Sequence, residues 1–442
     1  MLRTIFLNLV AKPASGAVAF LKGASSAIWT FPAVLGSAIV IAWAAEAAQF
    51  LVSQGLALAI LAWLQTLPEF AVEAVIAWDA GQTARSSTDP VQVAHATALM
   101  TANFTGSLRL LVGLGWPMIY CTAAFFRRKQ GARLNEVKLD EEHAVEVVFL
   151  IISIAYFFIV WYRGTLSLFD TVMLTLVYFV YLFFLNKIPP QGEEKIEDID
   201  RIPRFILQQK KLVRNALISG LFLAGGGLLY VAAHPFLESL KAIAVGLGLS
   251  TFVFVQWVAP FLSEFPEKVS AFNWARRITT APMALMNMVS SNINQWTMLV
   301  AMLPIVYAIS VGEVRTIHFD EHQRLEILLT LGQSLLGAFL LANMRFSWWE
   351  AAVLFVLWAV QFLLSGFEKP LSLDQSSSTL TTWAAGWLPV GIHQIERFAA
   401  VTKYVITMLY FAWAGILVVA FVLKRQGFEA LTGFRELMRR HW

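Results

Sequence analysis

Two stretches decide how this chain is read: GLALAILAWLQTLPEFAVEAVIAW at 55 to 78 and GLSTFVFVQWVAPFLSEFPEKVSAF at 248 to 272. Each is an apolar run, then Pro-Glu, then a short helical continuation, so Pro68-Glu69 and Pro266-Glu267 read as one motif used twice. A proline inside a helix removes an amide donor and clashes with the carbonyl four residues back. The carbonyls of Leu64 and Leu262 are thereby released to face a ligand. At about 1.5 Å rise per residue, Glu69 and Glu267 lie roughly 14 Å from helix ends at Asp79 and Arg276, near the middle of a bilayer. An acid at that depth costs about 3 kcal/mol on insertion scales, so a repeat-related pair signals function rather than two accidental kinks.

The rest of the chain agrees with a membrane setting. Its 442 residues are 58% hydrophobic and 14% charged, with a mean hydropathy of +0.65, which excludes an ordinary soluble protein. Apolar runs long enough to cross a bilayer are expected near 27–47, 51–79, 92–125, 144–162, 166–186, 214–234, 240–274, 281–312, 325–343, 347–366 and 401–423. No alternating pattern of a barrel is visible. Because five runs separate the two motifs, their copies insert in opposite orientations. The fold class expected is an all-α polytopic membrane protein of two inverted five-helix repeats plus one additional C-terminal helix, and such repeats build a transport site where they meet. The division expected is an N-terminal interfacial segment (1–24), a first repeat (25–186), a cytoplasmic loop (187–213), a second repeat (214–366), and a loop, extra helix and tail (367–442). Lys12 and Pro13 interrupt the first apolar stretch, which favours an interfacial segment over a cleaved signal peptide.

A formal charge of +4 would suggest a nucleic-acid partner in a soluble chain. Here the Lys and Arg residues fall between apolar runs, 20 on one side and 11 on the other, with Arg109 and Lys268 inside runs. By the positive-inside rule the N-terminus is outside and the C-terminus cytoplasmic, in the cell (inner) membrane, although Arg3, Lys12 and Lys22 count against it. The single cysteine, Cys121, excludes an internal disulfide and any multi-cysteine metal centre. No Walker motif, nucleotide fingerprint or metalloprotease helix is present. The chain is expected to be neither an enzyme nor ATP-driven, with the bilayer and inorganic cations as partners, no nucleic acid and no cofactor.

Each motif carries a second acid on the same helix face: Glu73 four residues after Glu69, and Glu264 three before Glu267. Four converging carboxylates suit a hard cation such as Ca²⁺. Neutral candidates are Thr66, Ser263, Asn103, Ser107, Asn287, Ser291 and Gln295, the last five from TANFTGSLRLLVGLG (101 to 115) and MNMVSSNINQWTMLVA (286 to 301), which answer each other as the motifs do.

At these residues the sequence resembles the cation/Ca²⁺ exchanger superfamily, the sodium/calcium exchanger-like membrane proteins. Members carry two inverted repeats, each with a GTSLPEL-like and a GNxxGSNIxN-like stretch, in ten helices built as five plus five. Here the first repeat reads LQTLPEF and ANFTGSLRLL, the second LSEFPEK and MNMVSSNINQ. AAEAAQFLVSQGLALAILAW (44 to 63) resembles the lead-in, and the likeness spans roughly 25 to 366. It implies that Glu69 and Glu267 are the two central ion-binding glutamates, that Thr66 and Ser263 stand in the Thr-Ser pair, and that Ser107 and Ser291 are the Ser of GSN. Departures are Leu111 and Gln295 at the last position of the GSN stretch, Glu264 and Glu73 in place of Ser, and the added Arg109 and Lys268.

Arg109 cannot shed its proton and is expected to pair with Glu73 or Glu264. Lys268, next to Glu267, either snorkels or helps compensate the acids. HFDEH (318 to 322) reads as a solvated external loop, and GLFLAGGGLLY (220 to 230) as close helix packing. The function expected is a secondary cation antiporter exchanging Ca²⁺ or a related cation for Na⁺ or H⁺. The alternatives are a proton-coupled antiporter of monovalent cations, and a non-transporting membrane scaffold with a degenerate site. The oligomeric state is not legible.

Overall fold

The computed structural model describes residues 14–51, 62–187, 199–247, 249–368, 379–387, 391–423, 425 and 427–441. Residues 1–13 of the expected interfacial segment and residues 188–198 of the 187–213 loop lie outside them. Among the described residues the chain is all-α apart from four strands of two or three residues. Its helices are α1 (Ala14–Ala48), α2 (Leu67–Ser86), α3 (Pro90–Lys129), α4 (Ala144–Arg163), α5 (Leu168–Lys187), α6 (Arg201–Leu207) and α7 (Lys211–Leu247). There follow α8 (Thr251–Ser263), α9 (Phe265–Arg276), α10 (Ala281–Val311), α11 (Glu321–Leu340) and α12 (Trp348–Ser365). The last three are α13 (Thr379–Trp387), α14 (Ile392–Val422) and α15 (Glu429–His441).

Among the described residues nine helices are long and apolar enough to cross a membrane. They correspond to nine of the eleven expected runs. The two without such a helix, at 51–79 and 240–274, are the two that carry Pro-Glu: they hold α2 and the pair α8 and α9, each opening or breaking beside its proline. The sixth boundary differs from expectation, since α7 runs unbroken through Pro235 to Leu247. Likewise α1 begins at Ala14, so residues 14–24 belong to the same helix as the first span.

The helices pack crosswise between the two halves. α1 lies along α7, α2 against α10, and α3 against α8. Gly225 marks a close approach of α7 to α1: a Cβ there would stand 2.8 Å from Ile41 Cγ1, whereas Gly226 and Gly227 face open space. Four strands repeat the crosswise logic. β1 (Glu136–Lys138), between α3 and α4, pairs antiparallel with β4 (Arg345–Ser347), between α11 and α12. β2 (Thr165–Leu166), between α4 and α5, pairs with β3 (Ile317–His318), between α10 and α11. One span separates β1 from β2, and one separates β3 from β4, so the two pairs sit at opposite ends of the bundle. α15 joins the β1/β4 end, with Phe434 packed on Phe184 at 5.6 Å and Arg440 bonded to Glu141 at 3.1 Å. HFDEH is therefore not a free loop: His318 is in β3, and Asp320 accepts from the Gln323 amide at 2.8 Å to cap α11.

The tightest inter-half contact bears on function. A Cβ on Gly106 of α3 would lie 1.8 Å from the Gln256 carbonyl oxygen of α8, a backbone group that has no rotamer to yield. Gly106→Ala must push α3 and α8 apart, and overpacking of this kind costs about 1–3 kcal/mol. Thermal unfolding of the detergent-purified protein should show the loss, and an unchanged melting temperature would mean that α3 and α8 are not held at this distance.

Candidate functional site

Each Pro-Glu motif interrupts a helix in the same way. Thr66, two residues before Pro68, has φ −84 and ψ −2, and Glu264, two residues before Pro266, has φ −90 and ψ 1. The proline then opens the next helix, where its missing N–H costs nothing. Glu69 and Glu267 thus lie in the first turns of α2 and α9, both 1% exposed. The partner helices match too: α3 contains a π-helical turn at Leu111–Gly115 and α10 one at Gln295–Leu299. Both begin at the last position of the GSN stretch. Such turns, common at functional sites, leave a local mismatch in the hydrogen-bond ladder.

The acids converge between these breaks. Gln295 Nε2 donates to Glu69 Oε2 at 2.7 Å and to Glu264 Oε1 at 3.0 Å, joining the two motifs through one side chain. Ser107 Oγ donates to the same Glu264 oxygen, and Asn103 Nδ2 to Glu73 Oε2. Glu73, Glu264 and Glu267 are all close enough to Glu69 for their charges to act on it. Much of the acceptor capacity is unused. Glu69 Oε1, Glu73 Oε1, both Glu267 oxygens, Asn103 Oδ1, Asn287 Oδ1, Ser291 Oγ and Gln295 Oε1 are buried and have no hydrogen-bond partner among the described residues. Buried acceptors without partners are costly, and a cluster of them suits an oxygen-coordinated cation.

Not every candidate points inward. Ser263 Oγ donates to the Ala259 carbonyl at 3.0 Å and so satisfies the end of α8. Thr66 Oγ1 donates to the Trp63 carbonyl at 2.9 Å and accepts from Asn294 Nδ2 at 2.6 Å. Asn287 Nδ2 donates to Gln65 Oε1 at 3.2 Å. Gln65 and Asn294 escaped the sequence reading; their signal was an amide side chain within a break or a buried apolar run.

Of the two basic residues, Lys268 rather than Arg109 meets the acids of the cluster. Arg109 does not pair with Glu73 or Glu264. Its Nη2 meets Glu326 of α11 at 2.7 Å, its Nε meets the Thr105 carbonyl at 3.1 Å, and its guanidinium lies over Trp257 at 5.0 Å. The reason is helical azimuth: two residues beyond Ser107, Arg109 is turned about 200° from the face that holds the acids. Lys268 does not snorkel. It is 6% exposed and its Nζ bonds Glu264 Oε2 at 2.5 Å. A second buried network, absent from the sequence reading, surrounds Glu326. Lys403 of α14 donates to Glu326 and to Glu368, Gln256 Nε2 reaches Glu326 at 2.9 Å, and His322 lies 3.9 Å from both acids.

Beyond each Pro-Glu break lies a cavity. One of about 330 Å³ follows α2 and includes Asp79, Thr83, His95 and Lys241. The other, about 310 Å³, follows α9 and includes Glu46, Asp200, Ser270 and Asn273. Since α3 and α10 each cross once, and end beside β1 and β3 respectively, the cavities open towards opposite ends of the bundle. The carboxylates between them are closed to both.

The sequence model of the family described as "Sodium/calcium exchanger protein" matches residues 24–187 and 217–367. No curated protein matches the chain. Among solved structures, "Crystal Structure of H+/Ca2+ Exchanger CAX" is similar over 99% of this chain and 98% of its own, with 26% identity and a TM-score of 0.75. "Structure of native YfkE" is similar over 82% of this chain and 99% of its own, with 14% identity and a TM-score of 0.55, a likeness of fold alone. The described helices thus form an integral membrane fold already seen along its full length.

Proposed function

The chain belongs to the sodium/calcium exchanger protein family, and from that premise we propose a secondary antiporter that exchanges Ca²⁺ or a related cation for Na⁺ or H⁺ by alternating access. Membrane transport of cations follows from the family; the ions, the site and the orientation are this proposal. The observation that carries it is the set of unpartnered oxygens on Glu69, Glu73 and Glu267, gathered at two helix breaks. Asn103, Ser107, Asn287, Ser291 and Gln295 complete the polar surround, with Thr66 and Ser263 holding the breaks in shape. Two inverted five-helix repeats, at 25–186 and 214–366, are supported by the matched breaks, the matched π-helical turns and the reciprocal strand pairing. Residues 1–24 and 367–442 flank them.

Charge arithmetic bears on the driving ion. Glu69, Glu73, Glu264 and Glu267 carry four negative charges, and a divalent cation with Lys268 supplies three positive ones. A proton on one acid closes the difference, as buried sites require, and the likeness to a solved H⁺/Ca²⁺ exchanger supports the same coupling. The full-length protein in liposomes that are acid inside, with no Na⁺, should take up Ca²⁺ faster as the gradient steepens. Uptake that ignores the gradient and requires Na⁺ would select sodium coupling; no uptake under either gradient would defeat the proposal. A monovalent-cation/proton antiporter is the second reading, favoured by Leu111 in place of a side-chain ligand. It predicts Na⁺ or K⁺ flux without Ca²⁺ flux. The non-transporting scaffold keeps Leu111 in its favour but not Arg109, which pairs with Glu326 instead of the clustered acids.

The orientation proposed has the N-terminus outside, the C-terminus and the 187–213 loop cytoplasmic, and β2 and β3 external. In a Cys121-free background, single cysteines at 165 and 318 should label from the same side because their strands pair, and that side should be the outside of intact cells. Labelling from opposite sides would break the fold; labelling of both from within would invert it.

A further inference from the structure

Glu264 is the one acid of the cluster that has its own cation. Lys268 stands one turn along α9 and donates to Glu264 Oε2, while Glu264 Oε1 takes Ser107 and Gln295. Its ammonium is nearly closed off from solvent. Through Gln295 this pair is continuous with Glu69, so the ammonium lies at the cation cluster and not on a remote surface. The two motifs differ at these positions as a unit. Where the second has Glu264 and Lys268, the first has Thr66 and Phe70, so the extra acid and its base occur together. The first motif's own extra acid, Glu73, has an amide partner, Asn103, and no basic side chain bonded to it.

An ammonium and an alkali-metal ion share a single positive charge and a preference for oxygen neighbours. We propose that Lys268 is a tethered monovalent cation of the transport site: it satisfies Glu264 throughout the cycle, so the remaining carboxylates take one divalent cation and no alkali-metal ion beside it. This rests on the cation-exchange reading above and narrows it, since it removes Na⁺ as an occupant at Glu264. Without the lysine side chain, the Glu264 carboxylate, still held by Ser107 and Gln295, becomes a vacant monovalent site.

The test uses the purified full chain, with NaCl exchanged for choline chloride at constant ionic strength and pH, and thermal stability as the readout, because a ligand bound only by the folded state raises it. Wild type should be stabilised by CaCl₂ and, with Ca²⁺ bound, indifferent to Na⁺. Lys268→Met should gain stabilisation by Na⁺ with an apparent affinity at least about 10-fold tighter than wild type, equivalent to roughly 1.4 kcal/mol. Lys268→Arg, which keeps the charge, should remain indifferent. A folded Lys268→Met that responds to Ca²⁺ but not to Na⁺ overturns the proposal, and so does a wild-type response to Na⁺ equal to the variant's. If Lys268→Met does not purify, wild type decides alone: ²²Na⁺ bound together with Ca²⁺ overturns the proposal, and its absence beside retained Ca²⁺ binding upholds it. Failure of wild type to bind Ca²⁺ would instead strike the exchange reading itself.

Discussion

Glu69→Gln and Glu267→Gln should each reduce cation exchange to background in proteoliposomes while the protein still inserts and folds. The two glutamates occupy equivalent places after their prolines, and three of their four carboxylate oxygens have no partner. Gln keeps the shape and removes the charge. A charge-assisted contact is worth about 1.5–3 kcal/mol, so the loss of one should weaken cation affinity by about 10- to 10²-fold. Stability distinguishes this from misfolding. In the absence of cation each variant should be at least as stable as wild type, because it relieves repulsion among buried acids. Stabilisation by Ca²⁺, about 2.7 kcal/mol at 100 times the dissociation constant for an intact site, should fall to about 0.4–1.4 kcal/mol at the same Ca²⁺ concentration. Retained exchange in either variant would remove that residue from the mechanism.

Lys403→Met should produce the largest loss of stability without touching the carboxylate cluster. Lys403 stands on α14, outside the two proposed repeats, and it joins Arg109 in neutralising Glu326, which is 1% exposed. It also bonds Glu368, three residues beyond the C-terminal end of α12. Removing one partner of a buried ion pair costs about 3–5 kcal/mol, since the charge left behind stays desolvated. Thermal unfolding of the detergent-solubilised chain measures it. Adding Glu326→Gln should recover part of the loss, as a double-mutant cycle of contacting residues requires. A Lys403→Met protein as stable as wild type would make α14 a peripheral helix. The expected result makes it a structural part of the transporter, tied through Glu326 to the helix that carries Asn103 and Ser107.

What the sequence determined by itself is local in origin. Span length, apolarity and the run of basic residues are properties of consecutive residues, so the membrane class and nine of the spans could be read directly. The two Pro-Glu breaks were legible for the same reason: proline's missing donor acts on its own helix whatever surrounds it. Glu73 beside Glu69, and Glu264 beside Glu267, followed from helical spacing. The pairing of Lys268 with Glu264 was within reach, since the two stand in the i, i+4 relation that favours ion pairs; adjacency to Glu267 drew attention to the wrong acid. The tertiary structure alone decided the rest. Arg109 finds Glu326, 217 residues away, because the azimuth of α3 and its packing against α11 aim it there. Gln295 bridges the two motifs only once α10 lies between their breaks. The matched π-helical turns, the crosswise strands and the anchor at Lys403 likewise depend on how helices meet. A side chain's chemistry is written in one position, but its partner is set by the register and rotation of whole helices, and those are fixed by packing over the entire bundle.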